Sequence, residues 1–284
     1  MILFIASVLD KAGVNIANKI VDLYDFKPSG DYFHDNPVYV KEIDSNEMIK
    51  LIWIKDEPVN AQYIDKLFKP KLVVFLSRHS SKSGIPTLSV HTPGNFKDAS
   101  LGGLPNKLSI SPANAMRNAL LEMAKGRDEY DLKYEVSYEC THHGPSLNAP
   151  TMFVELGSTE KQWLDERAAT VVAKAAVSAV KGKEKAEAVL GIGGPHYNMK
   201  FTNLALKGEY AFGHIIPNYA IPQVDLNVIK RCVSRTLEKV DKAVLDWKGI
   251  KGAFKRDLIS YCLLYTSDAA DDGESVDLGG RRII

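Results

Sequence analysis

The chain has 284 residues, of which 45% are hydrophobic and 25% charged, and its formal net charge is +1. This is an ordinary globular composition, long enough for one large α/β domain or two modest ones. No apolar run approaches the ~18 residues of a membrane span, and the N-terminal MILFIASVLD lacks the basic flank and cleavage site of a signal peptide. Because Cys140, Cys232 and Cys262 show no paired spacing, we expect no disulfide framework and a cytoplasmic protein.

Short apolar runs alternate with amphipathic stretches along the chain. The apolar runs predict strands at residues 2–7, 48–54, 71–77, 133–139, 152–157, 186–193 and 243–247. Apolar residues at helical spacing predict helices at 11–24, 111–126, 159–182 and 224–240. Ser111 is expected to cap the second of these helices, and Ser158 or Thr159 the third. The alternation predicts an α/β fold with a mostly parallel sheet and helices on both faces, in one domain over residues 1–261.

The last residues, 262–284, read CLLYTSDAADDGESVDLGGRRII. A transposon mosaic end followed by sequencing-adapter DNA translates into nearly the same residues in one reading frame. We therefore expect this tail to derive from an adapter and the native carboxyl-terminal end to be missing. The tail holds two of the 36 basic and five of the 35 acidic residues, so residues 1–261 carry a formal charge of +4. That mildly basic charge permits a tRNA partner without demanding one.

Six of the seven histidines follow an apolar run or a glycine turn. They are His79, His91, His142, His143, His196 and His214. Because loops converge beyond the carboxyl ends of the strands in sheets of this type, we expect these side chains to meet there. A single histidine at a strand end is more often a hydrogen-bonding turn residue, but several imidazoles and a carboxylate form an open catalytic zinc site. Glu139, Glu155 and Asp165 are the candidate carboxylates.

Several other stretches have both a structural and a functional interpretation. Gly144-Pro145 and Gly193-Gly194 are either tight turns or points where the backbone closely approaches a ligand. Residues 80–82, Ser-Ser-Lys, are either a polar strand-exit loop or a nucleophile with a lysine base. Arg78 and Lys200 can meet phosphates if their loops share a face. These alternatives stay open at the level of residue chemistry.

Five separated motifs resemble the archaeal and plant-type D-aminoacyl-tRNA deacylase family. They are SRHSSKSGIPTLSVHTPGN, YECTHHGPS, FVELGSTEKQW, LGIGGPHY and AFGHIIPNYA with DWKG, and the resemblance runs from Ile5 to about Tyr261. It implies a three-layer α/β/α fold related to phosphorylases and peptidyl-tRNA hydrolases, with a mixed, mostly parallel sheet. It also implies a zinc cofactor and hydrolysis of the ester between a D-amino acid and the 3′ end of tRNA, with no obligate protein partner. Asn198-Met199 replaces the small residue and proline that many members carry.

Residue chemistry and the resemblance together predict a set of site residues. Zinc would be held by some of His79, His91, His142, His143, His196 and His214. The catalytic residues would be His142, His143, His196, Glu139 and Glu155. The substrate would be bound by Arg78, Ser80, Ser81, Gly144, Pro145, Gly193, Gly194, Tyr197 and Lys200. Two alternatives remain: a metal-dependent aminopeptidase or phosphorylase on a similar fold, and a noncatalytic RNA-binding module, which would show no turnover.

Overall fold

The computed structural model describes residues 1–44 and 47–269. The strands are β1 (Ile2–Ser7), β2 (Lys27–Phe33), β3 (Asn36–Asp44), β4 (Glu47–Ile54), β5 (Leu72–Arg78), β6 (Thr87–His91), β7 (Glu135–Tyr138), β8 (Thr151–Gly157), β9 (Glu187–Ile192), β10 (Tyr210–Ile216) and β11 (Lys242–Leu245). The helices are α1 (Lys11–Tyr24), α2 (Ile64–Phe68), α3 (Ala113–Glu129), α4 (Glu160–Trp163), α5 (Glu166–Lys181), α6 (Met199–Leu206), α7 (Leu226–Ser234) and α8 (Gly252–Ala269). Among these residues, no helix is both long and apolar enough to cross a membrane.

The described strands form two sheets. The larger has the order β2-β3-β4-β1-β5-β8-β6-β7, and β4, β1, β5 and β8 run parallel at its centre. β6 and β7 are parallel to each other but antiparallel to β8, while β2 and β3 add an antiparallel pair at the other edge. β10, β9 and β11 form a smaller, parallel sheet. The predicted α/β class with a mixed, mostly parallel sheet is confirmed, and its division into two sheets is an addition.

The two faces of the large sheet are covered differently. Helices α1, α3 and α5 cover one face, where Phe4, Leu76 and Val154 are fully buried. The alanine- and valine-rich α5 packs closely against α3: a Cβ at Gly126 of α3 would stand 2.8 Å from a methyl carbon of Val171 in α5. The opposite face carries a smaller apolar cluster with Phe153, which the short α2 helps to cover. The thin cover on this second face leaves room for a cavity.

Local sequence signals succeeded at one helix end and failed at another. Thr159, one of the two predicted caps, forms a capping box with Gln162, but the predicted helix 159–182 is divided into α4 and α5. The prediction for Ser111 is wrong, because α3 begins at Ala113 and the side chain of Ser111 makes no capping hydrogen bond. The Glu238 carboxylate, distant in sequence, accepts hydrogen bonds from the first backbone N–H groups of α3 at 2.9 and 2.8 Å. A tertiary contact thus replaces the local cap.

The predicted strands all have counterparts, whereas the β2–β3 hairpin, β6, β10, α2, α6 and α8 were missed. β2 is exposed along nearly its whole length, so its sequence carries no apolar alternation. The prediction of a single domain over residues 1–261 and an adapter-derived tail over 262–284 stays a prediction. Residues 270–284 of that tail lie outside the described residues.

Candidate active site

The site is built on the thinly covered face of the large sheet. Phe75, Phe153 and His91 pair across neighbouring strands, and Glu155 lies two residues along β8 from Phe153. Since side chains on a strand alternate between faces, all four point to the same side. Ser77, the neighbour of Glu155 on β5, donates a hydrogen bond to Glu155 Oε1 at 2.9 Å. The strand register alone therefore places a carboxylate and an imidazole on one face.

The histidines meet for a different reason from the one predicted. A common carboxyl edge was expected, but the antiparallel pairing of β6 with β8 places the ends of β6 and β7 opposite the end of β5. His79 approaches from the end of β5, while His91 and Glu139 approach from the ends of β6 and β7. The groups therefore converge across the face of the sheet rather than beyond one edge.

His79 lies between two buried carboxylates. Its Nδ1 is 3.2 Å from Glu139 Oε1 and 3.5 Å from Glu155 Oε2, and its Nε2 is 2.8 Å from the Tyr197 hydroxyl. Burial alone would lower the pKa of His79, but the two carboxylates outweigh it and raise that pKa to about 11. Burial raises the pKa of Glu155 to about 7, despite the opposing effect of His79. His79 is thus a cation, and Glu155 is balanced between its two protonation states near neutral pH.

His91, His142 and His143 form a compact cluster of imidazoles. His143 Nδ1–H donates to the Gly144 carbonyl oxygen at 2.6 Å, and His142 Nδ1–H donates to the Cys140 carbonyl oxygen at 2.8 Å. These bonds leave each Nε2 with its lone pair, and His143 Nε2 lies 3.2 Å from His91 Nε2. Burial lowers the pKa of all three histidines, to about 4 for His143, so all three are neutral at pH 7.

His196 connects this cluster to Glu139 and to two residues that sequence reasoning missed. His196 Nε2–H donates to Glu139 Oε2 at 2.8 Å, while its Nδ1 lies 3.3 Å from Cys140 Sγ and 3.5 Å from the Tyr219 hydroxyl. Burial opposes protonation of His196, but Cys140 and Glu139 raise its pKa to about 10. Burial raises the pKa of Glu139, but hydrogen bonds from His196 and His79 outweigh that effect and lower it well below the ordinary value. Glu139 is therefore the permanently ionised carboxylate of the pair.

These groups open into a cavity of about 620 Å³, the main cavity. Its lining includes nine of the predicted site residues, namely Arg78, His79, Ser80, Glu139, His142, His143, Glu155, His196 and Tyr197. The lining also includes Asp10 and Glu57, which the sequence reasoning missed. Arg78 is bound there, since its Nη2 donates to both oxygens of Glu57 at 3.0 and 2.9 Å. An acidic residue three positions after the first strand was the available sequence signal for Asp10.

The remaining predicted residues lie outside the main cavity. His214 is fully buried, with Thr141 Oγ1 3.1 Å from its Nδ1 and the Arg235 carbonyl oxygen 3.1 Å from its Nε2. Both ring nitrogens are thus occupied, and His214 does not join the other histidines. Ser81 packs in its own loop against Ser83, and Lys200 forms an ion pair with Asp246 at 3.0 Å.

The predicted glycine turns have a structural role next to the site. Gly144, which precedes Pro145 by a cis peptide bond, is in close contact with the backbone at Val59 and Gly103. Gly193 and Gly194 both have positive φ, at 102° and 81°, and follow β9 as a tight turn that leads to His196. A residue with a Cβ would be strained at either position. These glycines shape the loops that carry the histidines.

The fold and the cavity together define an α/β enzyme of the hydrolytic type. Neutral imidazoles, a carboxylate poised near neutral pH and a protonated histidine share one cavity, which is the set of groups that acid–base and metal-assisted hydrolysis require.

The family model described as D-aminoacyl-tRNA deacylase matches residues 67–264 of this chain. The D-aminoacyl-tRNA deacylase of Pyrococcus abyssi is 40% identical over 253 residues, which is 86% of this chain and 90% of that protein. The deacylase of Methanocaldococcus jannaschii is 37% identical over 273 residues, covering 91% and 94%. The crystal structure of a conserved protein of unknown function superposes with a TM-score of 0.82 at 28% identity, covering 95% of this chain and 93% of that one.

The chain therefore belongs to the D-aminoacyl-tRNA deacylase family. The predicted family is confirmed, and with it the prediction of an enzyme that hydrolyses D-aminoacyl-tRNA.

Proposed function

We propose that the chain hydrolyses the ester of D-aminoacyl-tRNA in the main cavity, with a zinc ion held by the imidazole cluster, and that it does so in the cytoplasm. The observation that carries this proposal is the approach of His91 Nε2 and His143 Nε2 to 3.2 Å beside two buried glutamates. Two imidazole nitrogens that face each other in a protein interior have either a shared proton or a shared ion between them.

The donor set fits zinc. Two ligands on a tetrahedral zinc with bonds of ~2.0–2.1 Å stand ~3.3 Å apart, close to the His91–His143 separation. Within the described part of the chain, His142 Nε2 makes no hydrogen bond, and carbonyl oxygens fix the tautomers of His142 and His143 so that Nε2 is the unprotonated nitrogen. The ligand atoms of the three histidines all lie within 4.8 Å of one another. We leave His79 and His214 out of the proposed ligands, because the first is a cation and both have their ring nitrogens occupied.

Zinc at these histidines would polarise the ester carbonyl and lower the pKa of a bound water towards 7. Glu155 lines the same cavity, and burial gives its carboxyl a pKa of about 7. A carboxylate with that pKa accepts a proton from water at neutral pH better than an ordinary glutamate does. We assign Glu155 as the general base, held in place by the Ser77 hydroxyl and His79.

The protonated His196 completes the acid–base pair. Glu139 accepts its Nε2–H and keeps the ring charged, so His196 Nδ1–H can donate to the ribose oxygen that leaves when the ester breaks. Glu139 itself touches His79, His196 and, at 3.7 Å, His142 Nε2. Its role is therefore to position and charge the imidazoles, while Glu155 handles the proton of the attacking water.

Discrimination of D- from L-amino acids would rest on rigid walls. Tyr197 is fixed through its hydroxyl at His79, and Arg78 is fixed by Glu57. His142 and His143 form part of the same wall, and the next residue, Gly144, is held by a hydrogen bond from its N–H to the Leu101 carbonyl oxygen at 3.0 Å. A side chain pointing in the wrong direction would meet groups that cannot move aside.

The test is hydrolysis of D-tyrosyl-tRNA and L-tyrosyl-tRNA before chelation, after chelation and after zinc is returned. We expect cleavage of the D-ester alone, loss on chelation and recovery with zinc. His91→Phe keeps the ring that stacks on Phe153 but removes both nitrogens, so this variant should lose bound zinc as measured by elemental analysis. Activity that survives removal of all metal would refute the zinc assignment. The control, His34→Asn, alters a histidine that lines no described cavity and should retain zinc.

A further inference from the structure

A second cavity adjoins the main cavity and has a different chemical character. This side cavity has a volume of about 270 Å³, near the lower limit of ~300 Å³ for small-molecule sites. Leu101, His142 and His143 line both cavities, so they form a shared wall. A substrate whose reacting bond lies at this wall would extend one part into each cavity.

The side cavity presents groups suited to an unpaired nucleotide. Tyr219 is 60% exposed as a residue, and its hydroxyl is anchored 3.2 Å from Cys140 Sγ. Lys97 and Gln223 are both exposed and, within the described residues, their side chains make no ion pair or hydrogen bond. Unpaired bases are bound by stacking on aromatic rings and by hydrogen bonds to their edges, and phosphates by lysine. A fixed aromatic platform, a free amide and a free ammonium thus lie in one small cavity, together with the exposed carboxylate of Asp98.

Among the described residues, the main cavity has no lysine or arginine whose charge is unpaired. Arg78 is the only lysine or arginine that lines it among the described residues, and Glu57 already occupies its guanidinium. A phosphate there would also approach Asp10 and Glu155, whereas an α-ammonium group would be attracted to them. The two cavities therefore suit the two ends of an aminoacyl ester, the amino acid in the main cavity and the nucleotide in the side cavity.

We propose that the side cavity binds the 3′-terminal nucleotide of the tRNA, with its base stacked on Tyr219 and a backbone phosphate at Lys97. The ester joins the ribose of that nucleotide to the amino acid, so it lies over His142 and His143 when both cavities are occupied. His196 Nδ1 faces Tyr219, on the side where the ribose oxygen leaves. This inference rests on the proposed function for its choice of substrate, but it adds the position of the nucleotide.

The experiment measures binding of uncharged tRNA, so that it does not depend on hydrolysis. Affinity is measured by fluorescence anisotropy for tRNA ending in CCA and for the same tRNA lacking its terminal adenosine. The wild-type protein should bind the CCA-ended tRNA about tenfold more tightly, because stacking of one base has roughly that effect on affinity. Tyr219→Leu should abolish this preference, while Tyr219→Phe, which keeps the ring, should retain it. Lys97→Met should weaken binding of the CCA-ended tRNA and reduce the salt dependence of that binding by about one phosphate contact.

Tyr32→Leu and Lys183→Met are the matched controls, since both residues are exposed and line none of the described cavities. The inference is refuted if Tyr219→Leu keeps the preference for the terminal adenosine, or if Tyr219→Phe loses it as well. It is also refuted if the wild-type protein shows no preference. A preference for CCA-ended tRNA in a protein that cleaves no D-ester would contradict the proposed function and leave the nucleotide site standing. Cleavage of the D-ester without that preference would support the proposed function and contradict the nucleotide site.

Discussion

Replacement of Glu155 by glutamine should inactivate the enzyme and stabilise its fold at the same time. Glu155 is 3% exposed, and the side-chain amide of glutamine has nearly the same shape as the carboxyl group. The substitution removes the proposed general base, an effect of about 10²- to 10⁴-fold on kcat. It also removes a carboxylate that the folded state holds in an unfavourable charged form above neutral pH.

The stability change follows from the pKa of the buried carboxyl. Burial raises the pKa of Glu155 from its ordinary 4.5 to about 7, so the folded state binds this proton more tightly than the unfolded state does. The wild-type free energy of unfolding therefore loses a contribution as pH rises from 4.5 to 7. One pKa unit corresponds to about 1.4 kcal/mol, which gives a loss of about 3 kcal/mol. Glu155→Gln has no such proton, so it should exceed the wild type by up to that amount above pH 7 and match it below pH 4.5.

The assay is urea unfolding of the zinc-free proteins at pH 4.5, 6 and 8, with deacylation measured in parallel on the zinc-loaded proteins. Glu139→Gln is the matched control, because hydrogen bonds from His196 and His79 keep the pKa of Glu139 low. The ionised form of Glu139 stabilises the fold above pH 4.5. Glu139→Gln should therefore lower the free energy of unfolding at pH 8, where Glu155→Gln should raise it. Equal destabilisation by both substitutions at pH 8 would refute the reasoning, since it would show that Glu155 is as firmly ionised as Glu139.

Three further predictions concern the site and its support. Gly144→Ala should lower the free energy of unfolding by about 1–3 kcal/mol and raise KM, because its Cβ would lie 2.2 Å from Gly103 N and 2.4 Å from the Val59 carbonyl oxygen. Urea unfolding and steady-state kinetics of this variant measure the two effects. Unchanged values would show that the loop moves aside freely. Asp10→Ala should destabilise the protein by about 0.5–2 kcal/mol in urea unfolding, since its carboxylate caps α1 at Gly13 N and also accepts from Arg78 N, and Asp10→Asn should recover part of the loss. The rate of deacylation should rise with pH through about 7 as Glu155 loses its proton, and the rate of Glu155→Gln should show no such rise. A pH profile of kcat from 5.5 to 8.5 tests this. An identical rise in the variant would mean that another group titrates.

Part of the site could be predicted because the sequence marks strand ends and residue types. β1, β4, β5 and β8 were found from their apolar runs, and the histidine and glutamate residues next to them were recognised as a site. These signals are local, since a buried strand needs a continuous apolar run. The family motifs added the reaction.

Only the tertiary structure decided how those residues are used. His79 and His91 look alike in sequence, yet the carboxylates of Glu139 and Glu155 make the first a cation, while burial among other imidazoles keeps the second neutral. His214, which follows a glycine, was also predicted as a site residue, but its ring nitrogens contact the Thr141 hydroxyl and the Arg235 carbonyl oxygen instead.

The physical reason is the range of the interactions involved. The sequence by itself determined the family, the fold class and a list of polar residues near strand ends, because these depend on local patterns. Strand direction, the pKa of each buried group and the partners of each ring nitrogen depend on residues far apart in the chain. The antiparallel insertion of β6 and β7, which no local pattern marks, brings Glu139 and His91 onto the face where His79 and Glu155 lie. The chemistry of the cavity was therefore decided by the antiparallel pairing of β6 with β8.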